Sequence, residues 1–283
     1  MMATRREVFN VLCDAARELY GDDEARQLAR MIIESRGVSY NQLIVDPNVE
    51  LQFEDLEAVV DDIRRWRPVQ HIIGTADFAD MELEVTSDVL IPRPETEELV
   101  MWISEESHPG ARIVDVCTGS GCIALALARA VKDSEVCGIE LSLAAIDVAR
   151  RNAQRYAPDV AVVQGDALAD FGELVGRHVD VVVSNPPYIP LSDKTSMRHN
   201  VLDYEPSMAL FVSDDDPLIF YRAIARTSKS ILVDGGKLYF EIYERLADEM
   251  VAMLKSEGYS DIVVRDDFRG KPRMICAVNR VVL

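Results

Sequence analysis

The chain has 283 residues, of which 48% are hydrophobic and 28% are charged, a composition typical of folded rather than disordered proteins. Its 49 acidic and 30 basic residues give a formal net charge of −19, which argues against stable nucleic acid binding because polyanion binding relies on Lys and Arg. No apolar run approaches the roughly 18 residues that span a bilayer, and the N-terminus lacks an apolar signal core, so we expect a cytoplasmic protein that does not bind membranes.

Residues 1–75 have the apolar spacing of amphipathic helices. Two groups share a helical face: Val8, Leu12, Ala15, Ala16 and Leu19, and Phe53, Leu56, Val59, Val60 and Ile63. Between them, Ser39 is followed three places later by Gln42, the spacing of a capping box that opens a helix. We predict a small helical bundle here. Apolar residues from Phe78 to Val85 then predict a short extended or hairpin segment.

From about residue 111, strand and helix patterns alternate. Strands are predicted at 111–116, 135–140, 160–164, 179–184, 235–243, 260–265 and 273–279. Strands that alternate with helices of ten to fifteen residues indicate an α/β fold, with a mostly parallel sheet covered on both faces. Ligands of such sheets bind at the carboxyl ends of the strands. The five cysteines and four histidines are scattered, which predicts neither a disulfide scaffold nor a metal site.

Three successive predicted strands end in loops that suit a nucleoside cofactor. The first loop, residues 115–121, has glycines that let the backbone approach a ligand beside a helix N-terminus. Glu140 ends the second strand, where a carboxylate can accept hydrogen bonds from both ribose hydroxyls. Asp166 follows the third strand and can meet the adenine amine. One such loop is weak support, but three in order predict a cofactor site.

The loop after the fourth strand is Ser184-Asn185-Pro186-Pro187-Tyr188. Two consecutive prolines stiffen it and leave its carbonyl groups free of the sheet. The Asn185 side-chain oxygen and the Pro186 carbonyl can grip the two N–H groups of a planar nitrogen, and the Tyr188 ring can cover that group. This pattern suits methylation of an amide or amino nitrogen, and it does not by itself choose between substrates.

The sequence also resembles the peptide chain release factor protein-(glutamine-N5) methyltransferases, the HemK/PrmC family. The resemblance covers most of the chain and is strongest from about residue 68 to 240. The segments that carry it, besides the loop at 184–188, are residues 68–74, 89–97, 204–206, 209–211, 220–222 and 240–242.

The resemblance implies a Rossmann-like class I methyltransferase domain with a seven-stranded sheet. We place this domain at residues 89–283, after a helical substrate-recognition domain at 1–75 and a hairpin or linker at 76–88. It also implies transfer of a methyl group from S-adenosylmethionine to glutamine N5 in the Gly-Gly-Gln motif of release factors, leaving S-adenosylhomocysteine. We expect the enzyme to be a monomer.

The site residues follow from the loops and the resemblance together. Those predicted to bind the cofactor are Cys117, Thr118, Gly119, Ser120, Gly121, Glu140, Asp166, Ala167 and Asn185. Those predicted to bind the substrate are Asn185, Pro186, Pro187 and Tyr188, and of these Asn185, Pro186 and Tyr188 are the predicted catalytic residues.

Four positions depart from the family pattern. Cys117 and Tyr243 stand where glycine is usual, and Glu140 stands where aspartate is usual. Ala167 stands where an aromatic residue often follows Asp166. The changes at Cys117, Ala167 and Tyr243 leave open a cofactor-binding scaffold without turnover. Adenine N6 methylation of nucleic acid also stays open, because the enzymes that catalyse it use a similar slot for a planar amine.

Overall fold

The computed structural model describes residues 2–280; residue 1 and residues 281–283, which the predicted domain boundaries include, lie outside the described part. The chain divides into two compact units. One contains the residues up to Thr75 together with Met197–Tyr204, and the other contains Ala76–Ser196 and the residues from Glu205 onward. The eight residues at 197–204 therefore belong with a unit from which they are far removed in sequence.

The first unit is mainly helical. In chain order its N-terminal segment contains β1 (Met2–Thr4), α1 (Arg5–Tyr20), α2 (Asp22–Ser35), α3 (Tyr40–Val45), β2 (Glu50–Gln52), α4 (Leu56–Arg64) and α5 (Val69–Ile73). Apart from Leu19, which is half-buried, the residues of the predicted apolar stripes are buried in one core. The predicted helical bundle is thus confirmed, although Phe53 precedes α4 and β1 pairs antiparallel with β2, which the spacing did not predict.

Strands and helices alternate through the rest of the chain. The strands are β3 (Thr75–Phe78), β4 (Met81–Glu84), β5 (Arg112–Val116), β6 (Glu135–Glu140), β7 (Ala161–Gln164), β8 (Val179–Ser184), β9 (Ile189–Pro190), β10 (Phe211–Val212), β11 (Leu232–Glu241), β12 (Tyr259–Asp266) and β13 (Pro272–Asn279). The helices are α6 (Pro94–Glu106), α7 (Cys122–Ala130), α8 (Leu143–Tyr156), α9 (Gly172–Val175), α10 (His199–Leu202), α11 (Ser207–Leu210), α12 (Ile219–Ile231) and α13 (Ala247–Ser256). Short 3-10 turns occupy Leu191–Ser196 and Glu244–Leu246.

Seven strands form one sheet in the order β12-β13-β11-β8-β5-β6-β7. The pairings from β11 through β7 are all parallel, and β13 runs antiparallel to both of its neighbours. This confirms the predicted seven-stranded, mostly parallel sheet. β3 and β4 form the predicted hairpin, and its turn at Ala79 and Asp80 has positive φ at both residues.

Alternate strand residues face opposite sides of this sheet, as the two-residue period of a strand requires. Ile113 and Val181 pack beneath α6, α7 and α8, whereas Val114 and Val182 pack against α12 and α13. Burial on both faces explains why these strands are nearly continuous apolar runs. All the parallel strands therefore deliver their carboxyl ends, and the loops that follow them, to one edge.

Candidate active site

A cavity of about 370 Å³ opens at the carboxyl ends of the parallel strands in the second unit. Loops after β5, β6, β7 and β8 line it, in agreement with the rule that ligands bind at this edge. The remaining wall comes from residues 88–96 and 206–211 and from α12. The predicted residues that line the cavity are Cys117, Thr118, Gly119, Ser120, Glu140, Asp166, Ala167, Asn185 and Pro187.

The loop after β5 turns sharply into α7. Gly119 and Gly121 have φ of 55° and 84°, in the left-handed region where glycine carries no steric cost. Cys117 has φ of 63° in the same region, which explains why glycine is usual there and why this chain's cysteine bears backbone strain. Gly121 caps the N-terminus of α7 and does not line the cavity among the described residues.

Hydrogen bonds to the Asp115 carboxylate hold the start of this loop in place. The Thr118 hydroxyl donates to the Asp115 carboxylate at 2.6 Å, and the Ala124 N–H donates to the same oxygen at 3.2 Å. A Cβ at Gly138 in the neighbouring strand would lie 2.9 Å from the Thr118 hydroxyl oxygen. Glycine at 138 is therefore required for this close approach.

Glu140 is held in a single orientation by three backbone N–H groups. Its Oε2 accepts from Gly119 at 3.0 Å, and its Oε1 accepts from Leu141 at 2.9 Å and Ser142 at 3.0 Å. The carboxylate has about four lone-pair sites, and these N–H groups occupy both sites of Oε1 and one of Oε2, so Oε2 can still accept from a ligand hydroxyl. Glutamate thus keeps an acceptor site for a ribose hydroxyl at the position where aspartate is usual.

The loop after β7 places Asp166 and Ala167 on the cavity wall. Asp166 accepts one hydrogen bond, from the Leu168 N–H at 2.8 Å, and Ala167 is buried. Aromatic and sulfur-containing side chains reach the cavity from elsewhere, namely Phe211, Phe220 and Met208. The cavity therefore has aromatic side chains available to a planar ligand, although no aromatic residue directly follows Asp166.

The loop after β8 brings Asn185 and Pro187 to the cavity. Within residues 2–280, the Asn185 side-chain amide has no hydrogen-bond partner, so both its groups are free for a ligand. Pro186 is buried. Among the described residues, neither Pro186 nor Tyr188 lines the cavity. The structure therefore brings Asn185 to the cofactor loops, while contact of Pro186 and Tyr188 with a ligand stays a prediction.

Tyr188 is anchored to a buried carboxyl group that the sequence analysis did not identify. Its hydroxyl donates to Glu241 Oε1 at 3.2 Å, and the Thr96 hydroxyl donates to Glu241 Oε2 at 2.6 Å. Burial raises the pKa of Glu241. Burial and the Glu241 charge raise the pKa of Tyr188, which keeps its hydroxyl protonated as a donor.

A second pair that the sequence analysis missed is Arg93 with Glu205. The guanidinium donates to Glu205 Oε1 at 2.6 Å, and the Ile91 N–H donates to Oε2 at 3.1 Å. The Glu205 side chain is only 1% exposed, so Arg93 and the backbone compensate a charge that burial would otherwise penalise. Both residues lie in segments that carried the family resemblance, which was the one available signal.

Among the charged side chains of the cavity wall that the structure describes, acidic groups outnumber basic ones. Asp88, Glu140 and Asp166 line it, against the single cation Arg93, which is paired with Glu205. Such a wall favours a cationic ligand. No group of metal-binding side chains occurs within residues 2–280, and none of the helices there combines the length and apolar content needed to cross a bilayer.

Comparisons with known proteins agree with this site. A family model described as "Methyltransferase small domain" matches residues 78–203. A release factor glutamine methyltransferase of Bacteroides thetaiotaomicron is 37% identical over 264 residues, which cover 92% of this chain and 95% of that protein. A protein of the same name from Mycolicibacterium smegmatis is 39% identical, over 82% of this chain and 81% of its own length.

The fold is shared with a solved methyltransferase of Pyrococcus furiosus. The two structures superpose with a TM-score of 0.54 at 16% sequence identity, and the match covers 81% of this chain and 100% of that one. The sheet order, the loop-lined cavity and these similarities define a Rossmann-like class I methyltransferase, whose fold implies catalysis that depends on S-adenosylmethionine. The chain belongs to the release factor glutamine methyltransferase family. The resemblance identified from the sequence is thereby confirmed.

Proposed function

We propose that this chain transfers the methyl group of S-adenosylmethionine to the side-chain amide nitrogen, N5, of the glutamine in the Gly-Gly-Gln motif of peptide chain release factors. The names of its relatives, release factor glutamine methyltransferases, support this substrate. The observation that carries the proposal is the side-chain amide of Asn185 on the cavity wall, which has no hydrogen-bond partner in the described part of the chain.

The residues of the cavity fit the cofactor. Glu140 keeps an acceptor site on Oε2 for a ribose hydroxyl, and Asp166 has acceptor capacity left for the adenine amine. The backbone of residues 117–120 can approach the cofactor closely, because Cys117 and Gly119 adopt left-handed φ. When bound, the cofactor supplies a methyl group on a positively charged sulfur, which the acidic wall suits.

The loop at 185–188 holds the substrate nitrogen. An amide nitrogen attacks poorly because its lone pair is delocalised, so its orientation decides the rate. The Asn185 side-chain oxygen and the Pro186 carbonyl accept from its two N–H groups and stabilise the positive charge that develops there. Pro187 keeps this backbone stiff, and the Tyr188 ring covers the planar group. No strong base is needed, since the proton leaves after transfer.

Replacement of Asn185 by Ala tests the proposal. We expect kcat for methylation of a release factor to fall by about 100- to 1,000-fold, the usual effect of removing one oriented polar group that stabilises developing charge. The dissociation constant of the cofactor should change by less than about fivefold, because Glu140 and the loop after β5 remain. Methyl transfer is followed by mass spectrometry of the release factor, and cofactor binding by calorimetry.

Two controls make the result specific. Asn41→Ala changes an exposed asparagine of α3 and should leave both quantities unchanged. A release factor whose tripeptide glutamine is replaced should receive no methyl group. Methyl incorporation into that altered release factor, or full activity of the Asn185 variant, would contradict the proposal.

A further inference from the structure

Tyr243 covers one face of Tyr188. It follows β11 directly after Ile242, at the position where the family resemblance led us to expect glycine. The two rings are 6.1 Å apart between centroids with an angle of 18° between their planes, which is a stacked arrangement. Glycine at 243 would remove this ring contact.

The Tyr243 hydroxyl reaches further along the same loop. It donates a hydrogen bond to Asp193 Oδ2, and Arg245 Nη1 lies 3.4 Å from that oxygen. The Arg245 guanidinium also lies 5.6 Å from the centroid of the Tyr243 ring. Asp193 is in the 3-10 turn that follows β9, five residues after Tyr188. Tyr243 therefore contacts two points of the segment 188–193.

Besides the packing of Tyr188 against the core, the segment is attached within the second unit by a two-residue strand and by hydrogen bonds at exposed positions. β9 contributes two residues, which pair with Phe211 and Val212. Ser192 is bonded to the exposed Asp214 through its N–H at 3.0 Å and its hydroxyl at 2.7 Å. Short strands and exposed hydrogen bonds hold a backbone weakly. The contacts of Tyr243, together with the Tyr188–Glu241 hydrogen bond, join the segment to the end of a central strand.

We propose that Tyr243 is a positioning residue for methyl transfer, which holds Tyr188 and the segment up to Asp193 against the end of β11 so that the acceptors of Asn185 and Pro186 stay fixed. The inference rests on the proposed function for its kinetic consequence. Its structural part, the ordering of residues 188–196 by one aromatic side chain, is measurable without any substrate.

Three variants separate the ring from the hydroxyl. Tyr243→Leu removes both, Tyr243→Phe keeps the stack, and Asp193→Asn keeps a weaker acceptor for the hydroxyl. For Tyr243→Leu we expect kcat to fall by about 10- to 100-fold, because small displacements of a reacting group are costly. The cofactor dissociation constant should stay within about twofold, since Tyr243 does not line the cavity among the described residues. Tyr243→Phe should retain most of the wild-type kcat, because it keeps the stacked ring.

Tyr156→Leu is the matched control. Tyr156 is a half-buried tyrosine of the same unit, and its hydroxyl bonds the backbone of Glu82. Its replacement should lower the melting temperature without lowering kcat. If Tyr243→Leu lowers kcat only as much as Tyr156→Leu does, the effect is general destabilisation and the inference is overturned.

Amide hydrogen exchange distinguishes failure of this inference from failure of the proposed function. Exchange across 188–196 should speed up by at least about tenfold in Tyr243→Leu and stay unchanged in Tyr156→Leu. Faster exchange in an enzyme that never methylates release factors would retain the positioning role and reject the proposed function. Unchanged exchange and unchanged kcat in an active enzyme would reject the positioning role alone.

Discussion

Asp115 is a fully buried carboxyl group near the end of β5, directly before the cofactor loop. One oxygen accepts from Thr118 and Ala124, whereas the other has no hydrogen-bond partner within residues 2–280. Burial raises the pKa of Asp115 from 3.8 to about 7. The two hydrogen bonds to Asp115 lower its pKa, but they do not offset the loss of solvation. The group therefore holds a proton in the folded state that the unfolded chain releases.

This proton makes stability depend on pH with a defined sign. The contribution of Asp115 is fully present below pH 3.8 and is lost as the pH rises toward 7, at about 1.4 kcal/mol per pH unit. Asp115→Asn removes the titration. Between pH 5 and pH 8, the free energy of unfolding of the wild type should fall relative to this variant by roughly 3 kcal/mol. Urea unfolding at both pH values measures the difference, and parallel pH dependences would contradict the assignment.

Among single residues, the sequence best predicted the location of those that follow a parallel strand. Glu140, Asp166 and Asn185 follow parallel strands, so they necessarily reach one edge of the sheet. Glu205 and Glu241 could not be assigned in this way. Their partners Arg93 and Thr96 lie more than 100 residues away in sequence, and no local pattern records that separation.

At the scale of elements, the capping box of α3 is a prediction that the structure confirms. Ser39 Oγ accepts from the Gln42 N–H at 3.3 Å, and Gln42 Oε1 accepts from the Ser39 N–H at 2.9 Å. The two side chains satisfy N–H groups that the helix itself leaves unpaired. α3 has only six residues, so its N-terminus contributes a large part of its stability.

Ser39→Ala should therefore loosen α3 locally. Loss of a capping side chain costs about 1 kcal/mol, which corresponds to roughly fivefold faster amide exchange at Gln42 and Leu43. Asn41→Ala, an exposed change on the same helix, should not accelerate exchange at these amides. Equal exchange rates in the two variants would show that the capping hydrogen bonds do not stabilise α3.

The elements that escaped prediction are short or are defined by distant partners. β1 and β2 have three residues each and pair across nearly fifty residues, and β9 and β10 have two residues each. Hydrophobic periodicity needs several residues before it can be recognised, so such strands have none. By contrast, the sheet strands with continuous apolar runs were placed to within a few residues, because burial on both faces marks them.

At the scale of the whole molecule, charge separates the proposed function from adenine methylation. The chain carries a formal charge of −19, and the cavity wall holds three acidic residues against one paired arginine. An enzyme that flips a base must also grip the flanking phosphates with cationic side chains. A polyanion approaching this cavity would instead meet like charge, whose repulsion is strongest at low ionic strength.

We therefore predict that short single-stranded and duplex oligonucleotides do not bind at about 50 mM salt, even at tens of micromolar protein, conditions under which basic DNA-binding proteins bind nonspecifically. Fluorescence anisotropy of a labelled oligonucleotide should stay flat, and methylation of a release factor should proceed unchanged in its presence. Binding that weakened steeply with added salt would reveal phosphate contacts, because each neutralised phosphate adds about 0.9 to the logarithmic slope. Such binding together with methyl transfer to adenine would support the alternative reaction, since only a pocket served by cationic contacts can extract a base from its stack.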